Sequence, residues 1–214
     1  MAQKKTMGLR KNLREQERRE AIIQSAIKVF ARMGYDRATM DDVVSEAGCS
    51  KALVYLYWKN KAELFLSLLD LCGKQYSDFF HGMLESTDPF EEKLTAFFSQ
   101  FVELFNKNIE LNKVSHHGSL YMGHKPDENF RSSTESYYRD YIGTLSAFFR
   151  QGIDLGYLDP DLDVEALAFM AVAAVEGYIY MSIIAERMPP ERAFVDIMNK
   201  YILPMMIKKE KESL

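Results

Sequence analysis

Between Thr39 and Tyr55 the chain gathers side chains suited to a nucleic-acid groove. A helix in a major groove needs short or planar groups toward base edges and hydrogen-bond donors toward phosphates. Ser50, Lys51, Ala52, Leu53 and Tyr55 are candidates for base edges. Lys51 can bond guanine O6 or N7, and Ala52 and Leu53 can pack on a thymine methyl. Thr39, at a helix start, can offer its hydroxyl and backbone N–H to a phosphate. Each also has a structural reading: Ser50 as a helix cap, Lys51 as a phosphate contact alone, Tyr55 as a ring turned inward.

Two short helices must position these groups. Thr39 followed three residues on by Asp42 is a capping box, and Met40, Val43, Val44 and Ala47 share an apolar face. Gly48 supplies the backbone freedom to end that helix. Ser50 can cap the next, which spans 50–58 with Val54 and Trp58 at i, i+4 facing a core. That spacing turns Lys51, Ala52, Leu53, Tyr55 and Tyr57 outward in varying degree. Two helices joined by a tight Gly-containing turn make a helix-turn-helix.

Phe30, Ala31, Gly34, Tyr35, Ala38, Thr39, Asp42, Ala47, Gly48, Ser50, Lys51, Val54, Tyr55, Lys61 and Leu64 also fall on a known pattern. Over about residues 15–66 the chain resembles the N-terminal domain of tetracycline-repressor-type (TetR) regulators. Cys49, Ala52, Leu53, Tyr57 and Trp58 depart mildly from that pattern. The resemblance implies phosphate contacts for Tyr57, which stands where the family usually has His, and for Lys61 as a point charge. It also implies a basic N-terminal arm able to reach the minor groove, and a helical body enclosing a small-effector pocket whose occupancy moves the fourth helix.

Charge is divided unevenly along the chain. Residues 1–61 hold 13 Lys and Arg against 7 Asp and Glu, a net +6, and the remainder 14 against 24, a net −10. A basic head on an acidic body fits a head that meets phosphates. Lys4, Lys5, Arg10, Lys11 and Arg14 form either a solvated tail or a DNA-reaching one, and residues 1–13 are expected to be a flexible basic arm. Cys49 and Cys72 point to a reducing cytoplasm rather than a disulfide scaffold. A redox role for Cys49, beside Lys51 at a helix start, is a minor alternative to a small residue in the turn. No apolar segment follows the basic N-terminus, so no signal peptide is expected. Residues 166–185 are nearly apolar and of spanning length. Glu176 near their middle argues against a membrane, and a helix apolar all round is more simply buried on two sides.

The helical pattern runs almost throughout, giving an all-α chain. It divides into a helix-turn-helix domain at 1–60 and a helical effector-binding and dimerisation domain at 61–214, about nine helices in total. Helices are expected at 13–33, 60–84, 126–152 and 191–208, with Pro89 opening another at its first helical position and Pro204 ending or kinking the last. One short helix reads few base pairs, so a twofold dimer on a palindromic duplex-DNA operator is expected. Ala171, Ala174, Gly177, Tyr178 and Met181 are the candidate dimer surface. Effector contacts are expected from Phe101 and Phe105, from Tyr121 and Met122, from Tyr138 and Tyr141, and from Phe169, Met170, Glu176 and Tyr180, so the effector should be apolar or aromatic. No cofactor is implied. The reading is a ligand-responsive transcriptional regulator, a repressor. One alternative is a helical metal-dependent enzyme using His116, His117 and His124, though their spacing is not firm for zinc. The other is a helical interaction protein that no longer binds DNA.

Overall fold

The structure, a computed structural model, describes residues 2–122, 128–185 and 191–207. Every regular element among them is helical, with one isolated antiparallel bridge between Leu158 and Ile207. The fold is the expected all-α arrangement of a helix-turn-helix and a helical body. The chain divides into two compact units, Met1–Cys72 with Glu110–Phe130, and Gly73–Ile109 with Arg131–Leu214.

The first unit is built on α1 (Ala2–Arg37), α2 (Met40–Ala47), α3 (Lys51–Tyr57) and the first part of α4 (Lys61–Glu85), with most of α6 (Ile109–Met122). Helix α1 begins well before residue 13. Its first residues are mainly Lys, Arg, Gln, Met, Leu and Ala, which favour helix, with Gly8 the one strong breaker among residues 2–12. Gly34 interrupts α1 at φ 74, ψ 164, and one further turn carries the chain to Arg37. Ile23, Ile27 and Phe30 are buried at i, i+4, i+7, joined by Ile22, Ala26 and Val29. Val43 of α2, Val54 of α3 and Leu64, Phe65 and Leu68 of α4 complete the core. The Phe30, Tyr35 and Phe65 rings pack at 4.7–6.2 Å between centroids.

The second unit takes the rest of α4 with α5 (Phe90–Lys107), most of α7 (Glu128–Asp154), α8 (Val164–Ile184), α9 (Glu191–Ile197) and α10 (Leu203–Met206). Pro89 is the N-cap of α5 rather than its first helical residue, because its ψ of 135° is still extended and Phe90 begins the turn. Pro204 cannot donate a backbone hydrogen bond. The chain meets it with a π turn at Met198–Ile202, after which Pro204 sits in the first turn of α10. Helix α8 buries Val164, Ala168, Ala171, Val172 and Val175 on one face. Its other face exposes Phe169, Met170, Tyr180, Met181 and Ile184. No helix among the described residues is long and apolar enough to cross a membrane.

Aromatic rings fill this unit. Tyr76 stacks on Phe101 at 5.3 Å, Phe80 lies 5.5 Å from Tyr141, and Phe90 lies 4.9 Å from Phe148. Each buried Phe contributes about 1.5–3 kcal/mol relative to exposure. Helices α4 and α7 meet at Gly73. Tyr141 donates its hydroxyl to the Gly73 carbonyl at 3.0 Å, and the Tyr137 ring lies 2.6 Å from where a Cβ on Gly73 would stand. Gly73→Ala therefore forces the ring aside. We expect a loss of roughly 1–3 kcal/mol in denaturant unfolding, partly recovered by adding Tyr137→Leu; an unchanged unfolding midpoint would show that the ring yields freely.

Candidate nucleic-acid interface

The helix-turn-helix is set by local hydrogen bonds. Asp42 N–H donates to Thr39 Oγ1 at 3.2 Å, while Thr39 N–H and its hydroxyl donate to Asp42 Oδ2 at 2.8 and 2.6 Å. The capping box is therefore complete. It also occupies both Thr39 donors that the sequence offers to a phosphate. The hydroxyl bond, then the N–H bond, hold the Asp42 pKa below the usual carboxylate value. Gly48 ends α2 in the left-handed region at φ 59. A Cβ on Gly48 would meet no neighbour within 4 Å, so the need for glycine there is conformational, not steric. Ser50 Oγ accepts the Leu53 N–H at 3.3 Å, so Ser50 is the cap of α3.

Helix α3 is anchored by Val54 and Trp58, both buried. Two contacts from α1 fix its C-terminal end. Arg19 lies 5.3 Å over the Trp58 ring, and Tyr57 donates its phenol to the Glu15 carbonyl at 3.3 Å. The opposite face presents Lys51, Ala52, Tyr55 and Leu56 to solvent, with Leu53 and Tyr57 half-buried. Leu56 is 72% exposed, the most exposed large apolar side chain of the helix-turn-helix. It is not among the outward-facing residues expected of this helix. The signal was available, since it lies beside Tyr55 and off the Val54–Trp58 stripe. Lys51 Nζ meets Asp41 Oδ1 at 2.7 Å.

Lys61 has a different place from the one its resemblance suggests. Its ammonium donates to the carbonyls of Tyr35, Asp36 and Ala38 at 2.7, 3.2 and 3.0 Å and lies 4.4 Å from the Tyr35 ring centroid. An ammonium has three N–H donors, and these three carbonyls use them. Lys61 thus holds the end of α1 and the entry to α2. The start of α4 is capped by Asn60, whose Oδ1 accepts the Glu63 N–H at 2.8 Å, while Glu63 reaches back to Lys59 N–H at 2.8 Å.

Comparison with known proteins agrees with this geometry. Residues 22–68 match the family model for bacterial regulatory proteins of the tetR family. The probable HTH-type transcriptional regulator ArpR of Pseudomonas putida is 27% identical over 170 residues, covering 77% of this chain and 79% of that protein. The transcriptional regulator FadR of Bacillus subtilis, solved with stearoyl-CoA, superposes with a TM-score of 0.71 at 20% identity, over 86% of this chain and 97% of FadR. SmeT of Stenotrophomonas maltophilia, solved with triclosan, gives a TM-score of 0.75 at 18% identity, over 90% and 93%. The head of the chain belongs to the tetR family of bacterial regulatory proteins.

The body of this regulator carries an open cleft of about 960 Å³ between α7, α8 and the segment joining them. Tyr138, Phe169 and Glu176 line it, together with Arg139 and Arg150 of α7. The other expected effector residues lie elsewhere. Phe101, Phe105 and Tyr141 are buried in the aromatic core, because helical spacing of large rings serves packing as readily as a cavity. Met170 and Tyr180 are exposed on α8 away from the cleft lining. The side chains of Tyr121 and Met122 lie outside the described residues. Of the candidate dimer surface, Ala171 faces the unit's own core and Ala174 is half-buried, while Gly177 and Met181 are exposed. Tyr178 stacks on Phe194 at 4.5 Å.

The enzyme alternative finds little to build on. His117 and His124 fall outside the described side chains, and among those described no three His, Cys, Asp or Glu groups gather as a metal site. Ser77, His81 and Asp140 do meet between α4 and α7. Ser77 gives its proton to Asp140, and His81 Nδ1 lies 2.9 Å from the Ser77 carbonyl and 3.3 Å from its hydroxyl oxygen, so the hydroxyl proton is engaged by the carboxylate rather than by the imidazole.

Two outcomes follow for the head. Lys61→Met should lower unfolding stability by about 2 kcal/mol, the scale of hydrogen bonds from a charged donor. It should leave the slope of log affinity against log salt unchanged; a slope reduced by about 0.9 would reassign Lys61 to a phosphate. Asp42 binds its proton less readily folded than unfolded. Its contribution is in full force above the unfolded pKa of about 4 and fades as pH drops through the folded value. Asp42→Asn should therefore flatten stability against pH below about 4, as read by acid unfolding.

Proposed function

We propose that this regulator binds a palindromic duplex operator as a homodimer, one α3 in each of two successive major grooves, and that it represses until a small apolar or aromatic molecule occupies the body. The observation that carries this reading is the outward face of α3. Lys51, Ala52, Tyr55 and Leu56 lie exposed on a short helix whose buried face is pinned by Val54 and Trp58. A donor, a small methyl and two flat or branched apolar groups suit guanine edges and thymine methyls. Thr39 and Ser50 act as caps in this scheme, and Tyr57 and Lys61 as supports of the helix rather than as its readers.

The exposed face of α8 supports self-association. Phe169, Met170, Tyr180, Met181 and Ile184 lie on it, and Tyr201 and Met205 are exposed near the end of the described chain. Apolar area of this kind, set on a rigid helix, marks a protein interface. For the effector, the solved relatives hold stearoyl-CoA and triclosan, and the cleft here offers Tyr138 and Phe169 beside Arg139, Arg150 and Glu176. Helix α7 provides one wall of that cleft and also packs on α4 at Gly73 through Tyr137 and Tyr141. It is the element through which occupancy would bias α4, provided the ligand favours one of two states.

The test is selection of the full-length protein on a random duplex pool. Two inverted half-sites about one helical turn apart are expected, and an enriched pool without symmetry would refute the dimeric reading. Met181→Glu places a carboxylate in the proposed interface without disturbing the protomer's core. It should yield monomers in sedimentation and weaken operator binding roughly a hundredfold.

A further inference from the structure

Helix α2 opens with Asp41 in its first turn, and α3 opens with Lys51. The two side chains meet at 2.7 Å although both are exposed. The same ammonium lies 5.8 Å from the Tyr55 ring centroid. Lys51 is thus held at the outer face of α3 by a carboxylate from one helix and a ring from its own. An exposed ion pair adds little to folding stability. Its effect is on where the charge points and on what can approach it.

We propose that Asp41 is a specificity-determining residue, which keeps Lys51 from indiscriminate phosphate contact and presents it to guanine. The inference rests on α3 being the helix that enters the groove. One of the three ammonium N–H donors is committed to Asp41, and the remaining two can reach the adjacent O6 and N7 acceptors of guanine. A phosphate at the same place must either displace the carboxylate or lie beside it, and like charges brought together weaken binding. Guanine acceptors carry no net charge, so the penalty there is smaller. Discrimination then comes from a repulsive element set against the wrong partner as well as an attractive one for the right partner. Asp42, the neighbouring carboxylate, does not substitute, because its Oδ2 is engaged by Thr39. Asp41 also raises the Lys51 pKa, through the hydrogen bond first and its charge second.

The experiment is a salt titration of full-length protein on a random-sequence duplex, with wild type, Lys51→Ala, Asp41→Asn and the double variant. Both side chains are exposed, so each variant keeps the core intact. Lys51→Ala in the wild-type background should leave the slope of log affinity against log salt unchanged. Asp41→Asn should steepen it by about 0.9, the value of one added phosphate contact. The double variant should return to the wild-type slope. In pool selection, Asp41→Asn should also weaken the guanine preference that Lys51→Ala abolishes. If Lys51→Ala flattens the slope equally with and without Asp41, the role given to Asp41 is overturned while α3 remains the reading helix. If no variant binds duplex DNA at all, both readings fall together.

Discussion

A helix of seven residues does not hold its shape in water, because too few hydrogen bonds repay the cost of its first turn. Helix α3, Lys51–Tyr57, is of that length. Everything its outer face presents therefore depends on burial of Val54 and Trp58, at 0% and 2% exposure. These two side chains fix the axis and rotation of the helix. Ser50 fixes its start, and Arg19 and Tyr57 fix its end against α1. The exposed face is then rigid, and Lys51, Ala52, Tyr55 and Leu56 stand in fixed relation to one another. Rigidity of this kind matters because a bidentate contact to a base edge tolerates little displacement.

What could be read in the sequence was local. Thr39 with Asp42, Gly48, and Ser50 with Leu53 are bonds between residues three apart or single backbone requirements, and they appear where expected. Val54 and Trp58 follow from helical period alone. The features that escaped were tertiary. Nothing in the sequence places the Lys61 ammonium on the carbonyls at 35, 36 and 38, or the Tyr57 phenol on Glu15. The Asp41–Lys51 pair crosses a turn whose geometry had to be known first.

The body shows the same limit in another form. Phe101, Phe105 and Tyr141 have the spacing and chemistry of ligand contacts, yet they are interior residues. Periodicity reports which side of a helix is apolar. It cannot report whether that side meets other rings or an opening. Tyr138 and Phe169 line the cleft because they lie on the outer faces of α7 and α8, and only the packing of those helices reveals the gap. Gly73 illustrates the converse. It reads as an unfavourable residue in the middle of a long helix, and its reason is a neighbouring ring that leaves no room for a side chain.

The arrangement of charge in the head carries a further consequence. Counting residues gives 1–61 a net charge of +6, which suggests broad attraction to any polyanion. The structure distributes that charge more narrowly. Lys61 is bound to carbonyls, Arg19 lies on Trp58, Arg32 faces Glu46 at 3.5 Å and Lys51 faces Asp41 at 2.7 Å. The net +6 already counts the paired carboxylates, so steering toward DNA is retained. It does reduce the number of cations able to take a phosphate directly, and the salt dependence of binding follows that number. A head organised in this way approaches DNA on its net charge but gains less from close contact with the wrong sequence. On the proposed reading, discrimination then falls to the outer face of α3, where the side chains carry shape and donors more than charge.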